Sequence, residues 1–123
     1  MASSNQYILL LHERPADSPA VSAAEMQEIV QRYRAWAADL ATRGLLVGGE
    51  KLADEGGRHL RLDGGAGGRP VATDGPYAEA HDVIGGYFVI RAADDAAAEA
   101  LARTCPHLSG RQWIEIRRIE SMD

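Results

Sequence analysis

The stretch Asp74-Gly75-Pro76-Tyr77-Ala78-Glu79-Ala80 is the densest local concentration of chemistry in the chain. Asp accepts local amide hydrogens, Gly admits dihedrals closed to other residues, and Pro fixes its own φ, so the segment specifies a rigid turn. Such a turn presents two carboxylates, Asp74 and Glu79, that can orient or protonate a bound molecule. The same residues also make a well-formed loop with no ligand. Asp74 is expected to anchor the loop or a ligand, and Glu79 to carry a proton. His12 is the second candidate proton carrier, because imidazole is the side chain that changes charge closest to neutral pH. It ends the apolar run Tyr7-Ile8-Leu9-Leu10-Leu11 and is followed by Glu13. His107 follows Pro106, where it either meets the carbonyl end of a helix as a cation or enters a cleft. Tyr77, Tyr87, His107 and Arg117 are the candidate ligand-binding residues.

Other suggestive clusters carry less. His59 lies in a polar stretch and is expected in solvent. His81-Asp82 has the residues of the metal phosphohydrolase pair, but that chemistry needs further His and Asp ligands on several helices. Glu79 and His81 make no metal site without ligands from elsewhere. Neither a metal nor a cofactor is expected. Gly64-Gly65-Ala66-Gly67-Gly68 lies between two short strands rather than between a strand and a helix, and no Walker Lys follows, so it is a hairpin tip and not a phosphate loop. Gly86-Tyr87-Phe88-Val89 is similar to the aromatic strand of RNA-recognition domains. The charge balance argues against that use.

These residues need elements to position them. Residues 7–12 are expected to form a buried strand. Ser22 and Glu25 have capping-box spacing, and Met26, Ile29, Val30, Tyr33, Ala37 and Leu40 then recur at helical spacing. Trp36 falls one position off that stripe and is assigned to packing. Gly44 fits the position past the helix end. Leu45 to Val47 begins a second strand that Gly48-Gly49 interrupts or bends. His59–Leu62 and Arg69–Thr73 flank the glycine cluster as a hairpin. Tyr87–Arg91 is a strand preceded by Gly85-Gly86. Asp94 and Asp95 open a second helix whose buried side is Ala97, Leu101 and Cys105, and Pro106 stops it. Gln112–Ile119 is the last strand. Without the hairpin the order is βαββαβ, the ferredoxin-like split βαβ arrangement of the α+β class, with two helices on one face of an antiparallel sheet. Strand alternation puts Phe88, Ile90, Ile114 and Ile116 on one side. Tyr87, Val89, Arg91, Trp113, Glu115 and Arg117 fall on the other, a mixture suited to a dimer interface or a ligand cleft.

Composition bounds the possibilities. The chain has 123 residues, 13 basic and 18 acidic, for a net charge of −5. Nucleic-acid binding needs a positive footprint, so it is not expected. The longest large-apolar run is five residues, too short for a membrane span, and a membrane partner is not expected either. A single cysteine, Cys105, allows no internal disulfide and suits a reducing cytoplasm. Alanine supplies 21 of the 56 apolar residues, which leaves 35 larger ones for a core. A one-sided core, completed against a second copy of the chain, is therefore expected.

The motifs also carry a family likeness. Val71-Ala72-Thr73-Asp74-Gly75-Pro76-Tyr77-Ala78-Glu79 resembles the "V-T-D-G-P-F-A-E" core of DGPF proteins, a branch of the YCII-related family. Gly49-Glu50-Lys51-Leu52 is similar to the family's "GE-L" segment, and Gly85-Gly86-Tyr87-Phe88-Val89-Ile90 to its "GGYY-I" strand. Cys105-Pro106-His107-Leu108 is similar to a subgroup's "CPHL", and Ile114-Glu115-Ile116-Arg117 to the closing "IEVRP". Tyr77, Ala80-His81-Asp82 and Arg118 depart from the usual Phe, "TKE" and Pro. The resemblance covers nearly the whole chain and implies one domain over residues 1–123. It further implies a ferredoxin-like protomer that pairs into a dimeric α/β barrel with a cleft between sheet and loops.

Two readings follow. The first is a cytoplasmic homodimer with a small-molecule cleft and acid–base chemistry at His12, Asp74 and Glu79. The second is a non-catalytic interaction or regulatory module with a protein partner, for example an accessory to sigma-factor-dependent transcription, as some DGPF proteins imply.

Overall fold

A computed structural model describes residues 5–14, 20–54, 56–75 and 82–122. The elements in chain order are β1 (Asn5–Glu13), α1 (Ala23–Thr42), β2 (Leu46–Lys51), β3 (Arg58–Asp63), β4 (Arg69–Asp74), β5 (Val83–Ala92), α2 (Asp95–Ala102) and β6 (Trp113–Ile119). β2, β5, β1 and β6 form one sheet in that spatial order, and every neighbouring pair is antiparallel. Each helix thus links two strands that flank a third, which is the ferredoxin-like α+β topology. β3 and β4 pair only with each other, as the inserted hairpin. Among the described residues no helix is long and apolar enough to cross a membrane.

Local chemistry sets the helix starts. The Ser22 hydroxyl accepts from the Glu25 amide at 3.1 Å, and the Glu25 carboxylate accepts from the Ser22 amide at 3.2 Å. This reciprocal box satisfies two of the four amides that a helix start leaves unpaired. Asp94 caps α2 by accepting from the Ala97 amide at 2.9 Å.

The core lies between the helices and one face of the sheet. Tyr7, Leu9 and Ile90 from the strands meet Trp36 and Leu40 of α1, Ala98 and Ala102 of α2, and Cys105. The expected α1 stripe holds from Ile29 to Leu40, where each member is half-buried or buried; Met26, 44% exposed, falls outside it, and Trp36 is buried beside it. The indole packs edge-on against Phe88, with ring centroids 5.0 Å apart, and donates to the Thr104 hydroxyl at 2.8 Å. A large ring with a satisfied N–H takes the deep position, and the flexible Met is left at the rim. In α2 the buried residues are Ala98 and Ala102, one position on from Ala97 and Leu101, which are only half-buried. Methyl side chains let the helix dock closely, so they face the sheet and the longer Leu101 sits at the flank.

Gly48-Gly49 lies where β2 shifts register against β5, as the expected interruption or bend, and Gly85-Gly86 lies inside a strand rather than before it. A Cβ on Gly49 would stand 2.6 Å from the Phe88 ring and 2.8 Å from the Tyr87 carbonyl, so only glycine lets β2 continue beside β5. Gly85 and Gly86 belong to β5, which starts at Val83. There the register shifts: Leu11 faces Gly86, whereas His12 faces Ile84. A bulge of this kind bends the strand and re-aims the next side chain.

The opposite face of the sheet carries Ile8, Leu10, His12, Tyr87, Val89, Trp113, Glu115 and Arg117. In the single chain it is open: Trp113 and Ile84 are 41% exposed, and Ile8, Leu10, Tyr87 and Val89 are only half-buried. The hairpin is more exposed still, with Leu60 at 71% and Leu62 at 50%.

Candidate functional site

The site starts at the end of β1. His12 is the residue after the bulge and pairs in register with Trp113 of β6. Alternation puts its ring on the open face, where Trp113 and Glu115 also lie. The imidazole stacks flat on the Trp113 indole, with centroids 3.9 Å apart and planes 7° from parallel. Its Nε2 lies 2.9 Å from Oε1 of Glu115, whose own register partner is Leu10. The two side chains are 14% and 36% exposed, so the pair is sheltered without being sealed. An ionised carboxylate can only accept. With Glu115 ionised, Nε2 therefore carries the proton, and on the neutral ring Nδ1 is the basic nitrogen. No described residue bonds Nδ1. A carboxylate that orients an imidazole and selects its tautomer is the arrangement general acid–base chemistry requires.

The backbone of His12 is held by a second histidine. His107 is 2% exposed. Its Nε2 lies 2.8 Å from the His12 carbonyl oxygen, and its Nδ1 2.9 Å from the Tyr33 hydroxyl. A carbonyl can only accept, so Nε2 carries the hydrogen. On a neutral ring Nδ1 then accepts from Tyr33. Burial, as the largest cause, pushes the His107 pKa below the ordinary value of 6.5, and the His12 carbonyl opposes this only in part. Burial likewise raises Tyr33 to about 12, so it remains a hydroxyl donor at physiological pH.

A shallow cavity adjoins the stack. It measures about 370 Å³ and is lined by Arg14, Asp82, Arg111 and Trp113. Asp82 accepts from Nε of Arg14 at 3.1 Å, with both side chains 33% exposed, and ties the end of β1 to the start of β5.

The expected site residues are therefore only partly brought together. His12 is at the centre, and Tyr87 is on the same face, opposite Leu10. Arg117 shares that face but pairs with Ile8, four residues from His12, or about 13 Å along the strand. His107 lies with Tyr33 of α1, and both of its nitrogens are engaged within the protein. Asp74 sits on the hairpin, 88% exposed and 3.3 Å from Arg58, and so belongs to a different sheet from His12. Tyr77, Glu79 and His81 lie outside the described residues. His59 is half-buried rather than solvated, because its ring packs on Gly75, where an added Cβ would stand 2.3 Å from Nε2.

Sequence reasoning missed Glu115 as the partner of His12, Trp113 as its stacking surface, and the Arg14–Asp82 pair. Alternation had placed Trp113 and Glu115 on one face. The missing datum was the register that sets Trp113 beside His12. Among the described residues no three His, Cys, Asp or Glu side chains cluster as a metal site.

No curated protein matches the chain. The YCII-related domain matches residues 6–123, nearly the full length. That span includes every strand of the sheet but the first residue of β1, together with both helices and the His12–Glu115 pair. The chain is therefore a member of the YCII-related family.

Proposed function

We propose that this YCII-related protein is a cytoplasmic homodimer of the DGPF branch that binds a small molecule on the open sheet face and moves a proton with His12. The observation that carries the reading is the His12 imidazole, set 2.9 Å from Glu115 and stacked on Trp113 beside a cavity. Glu115 orients the ring and balances the imidazolium that forms when Nδ1 takes a proton. Trp113 holds the ring plane, so the base needs no reorganisation when substrate arrives. Tyr87 shares the open face, opposite Leu10. The Asp74-Gly75-Pro76 motif supports the DGPF branch, and the lone, buried Cys105 supports a reducing compartment. The half-covered Ile8, Leu10, Tyr87 and Val89 support pairing with a second copy, which would also roof the cavity. A regulatory module with a protein partner would use the same open face, but it gives the His12–Glu115 pair no task.

The test is exchange of carbon-bound hydrogen. A panel of small 2-oxo acids and lactones is incubated with the protein in D2O and followed by proton NMR. Deuterium incorporation that His12→Ala abolishes, and Glu115→Gln reduces about 10²-fold or more, is the expected result. Incorporation that survives His12→Ala would refute the assignment.

A further inference from the structure

The cavity beside the stack has a chemistry that the acid–base pair does not use. The described residues that line it include two arginines and Trp113. The chain as a whole carries a net charge of −5, so two guanidinium groups at one mouth stand against the general field. Guanidinium differs from ammonium in being planar, with N–H groups spaced to match the two oxygens of a carboxylate. Asp82 takes the Nε hydrogen of Arg14 at 3.1 Å and thereby fixes the plane of that group. Trp113 remains 41% exposed although His12 covers one of its faces. It therefore gives the cavity a flat apolar wall. A volume of about 370 Å³ falls in the lower part of the range for small-ligand sites.

From this we infer that the Arg14–Arg111–Trp113 cavity is a subsite for a small planar organic carboxylate. The carboxylate meets the guanidinium groups and the planar body lies against Trp113. The indole is shared between cavity and stack, and only this adjacency links the inference to the acid–base reading; binding is measured without turnover.

The experiment follows the Trp113 indole N–H by NMR in the full-length protein, with benzoate, benzamide and inorganic phosphate as probes. Benzoate is expected to shift the resonance saturably. Benzamide has the same shape without the charge and should bind about tenfold more weakly or worse. Arg111→Gln should weaken benzoate about tenfold and leave benzamide unchanged. Asp82→Asn keeps an acceptor for Arg14 but removes a negative charge, so it should tighten benzoate several-fold. Lack of any saturable benzoate shift overturns the inference. So does equal affinity for benzoate and benzamide, or unchanged benzoate binding in an Arg111→Gln protein of wild-type melting temperature. Phosphate bound as tightly as benzoate overturns it too, since that is the signature of a bare charge site. Benzoate binding that obeys these relations while His12→Ala retains deuterium exchange would sustain the subsite and remove the acid–base reading.

Discussion

Replacing His107 by leucine keeps an apolar volume in place but strands two polar groups. The His12 carbonyl loses the Nε2 hydrogen at 2.8 Å, and the Tyr33 hydroxyl loses its acceptor at 2.9 Å. A buried acceptor without a partner costs about 1–3 kcal/mol. Tyr33 is only half-buried and turns to water more easily, so its loss is closer to 1 kcal/mol. The expected destabilisation is about 3 kcal/mol, which with a slope near 1.5 kcal/mol/M lowers the urea midpoint by about 2 M. Unfolding is followed at one fixed protein concentration, because association would otherwise contribute. Tyr33→Phe should cost about 1 kcal/mol in the wild type and almost nothing in the His107→Leu background, a coupling that a double-mutant cycle reads directly.

The same variant gives a pH signature with a definite sign. In the fold, burial depresses the His107 pKa below 6.5; in the unfolded chain it returns to that value. Above pH 6.5 both states are neutral there, and the contribution of His107 to stability is fully present. As pH falls below 6.5 the unfolded chain takes up a proton that the folded one refuses, so stability drops by up to about 1.4 kcal/mol per pH unit. The decline from this group ends at its folded pKa. His107→Leu lacks the group, so its gap from the wild type should be widest at pH 7.5, at about 3 kcal/mol, and narrower near pH 5. A gap that stays constant between those pH values would refute the neutral, doubly bonded assignment of His107. So would the absence of any gap.

Leu10 sits at the centre of the open face, so Leu10→Asp should convert a species of about twice the 13.2 kDa chain mass into one of chain mass, read by light scattering. A wild-type monomer at micromolar concentration would refute the pairing. Trp36→Ala removes the largest core side chain of α1 and should cost about 3–5 kcal/mol by urea denaturation; a cost below about 1 kcal/mol would show that the indole is not packed as described.

The two helices, the hairpin and the split βαβ order were legible because periodicity, caps and glycine clusters act locally. What was not legible depends on contacts between distant segments. Spacing finds the α1 stripe from Ile29 to Leu40 but cannot show that Met26 falls outside the packed region or that Trp36 is buried beside the stripe. Trp36 is buried because Phe88 packs against its ring and Thr104 accepts its N–H. In α2 the alanines made the phase ambiguous, since Ala97, Ala98 and Leu101 each fit an apolar side. Gly85-Gly86 resembled a boundary but is the place where β5 shifts register against Leu11 and His12. His12 was legible as a strand-end imidazole. Its partner was not, because Glu115 lies 103 positions away and only the pairing of β1 with β6 brings the two together.

The bulge at His12 connects the fold to the chemistry. β1 is a central strand, with β5 on one side and β6 on the other, so its backbone has little freedom to move as a unit. The register shift leaves Gly85 of β5 without a partner, while His12 pairs with Ile84 and Trp113 and is fixed further by side-chain contacts. Its carbonyl is held by His107, which Tyr33 fixes to α1, and its ring is held by Glu115 and Trp113. The carbonyl and the Cβ of one residue are joined through a single Cα, so a bond at 2.8 Å to the first restricts the direction of the second. His107 therefore sets the aim of His12 without touching anything bound on the open face. Its own proton uptake is suppressed by burial, so the tether holds across the neutral range. One histidine is kept neutral as a structural donor and the other is left with a nitrogen that no described residue bonds. The separation of roles comes from the burial of one ring and the open-face position of the other.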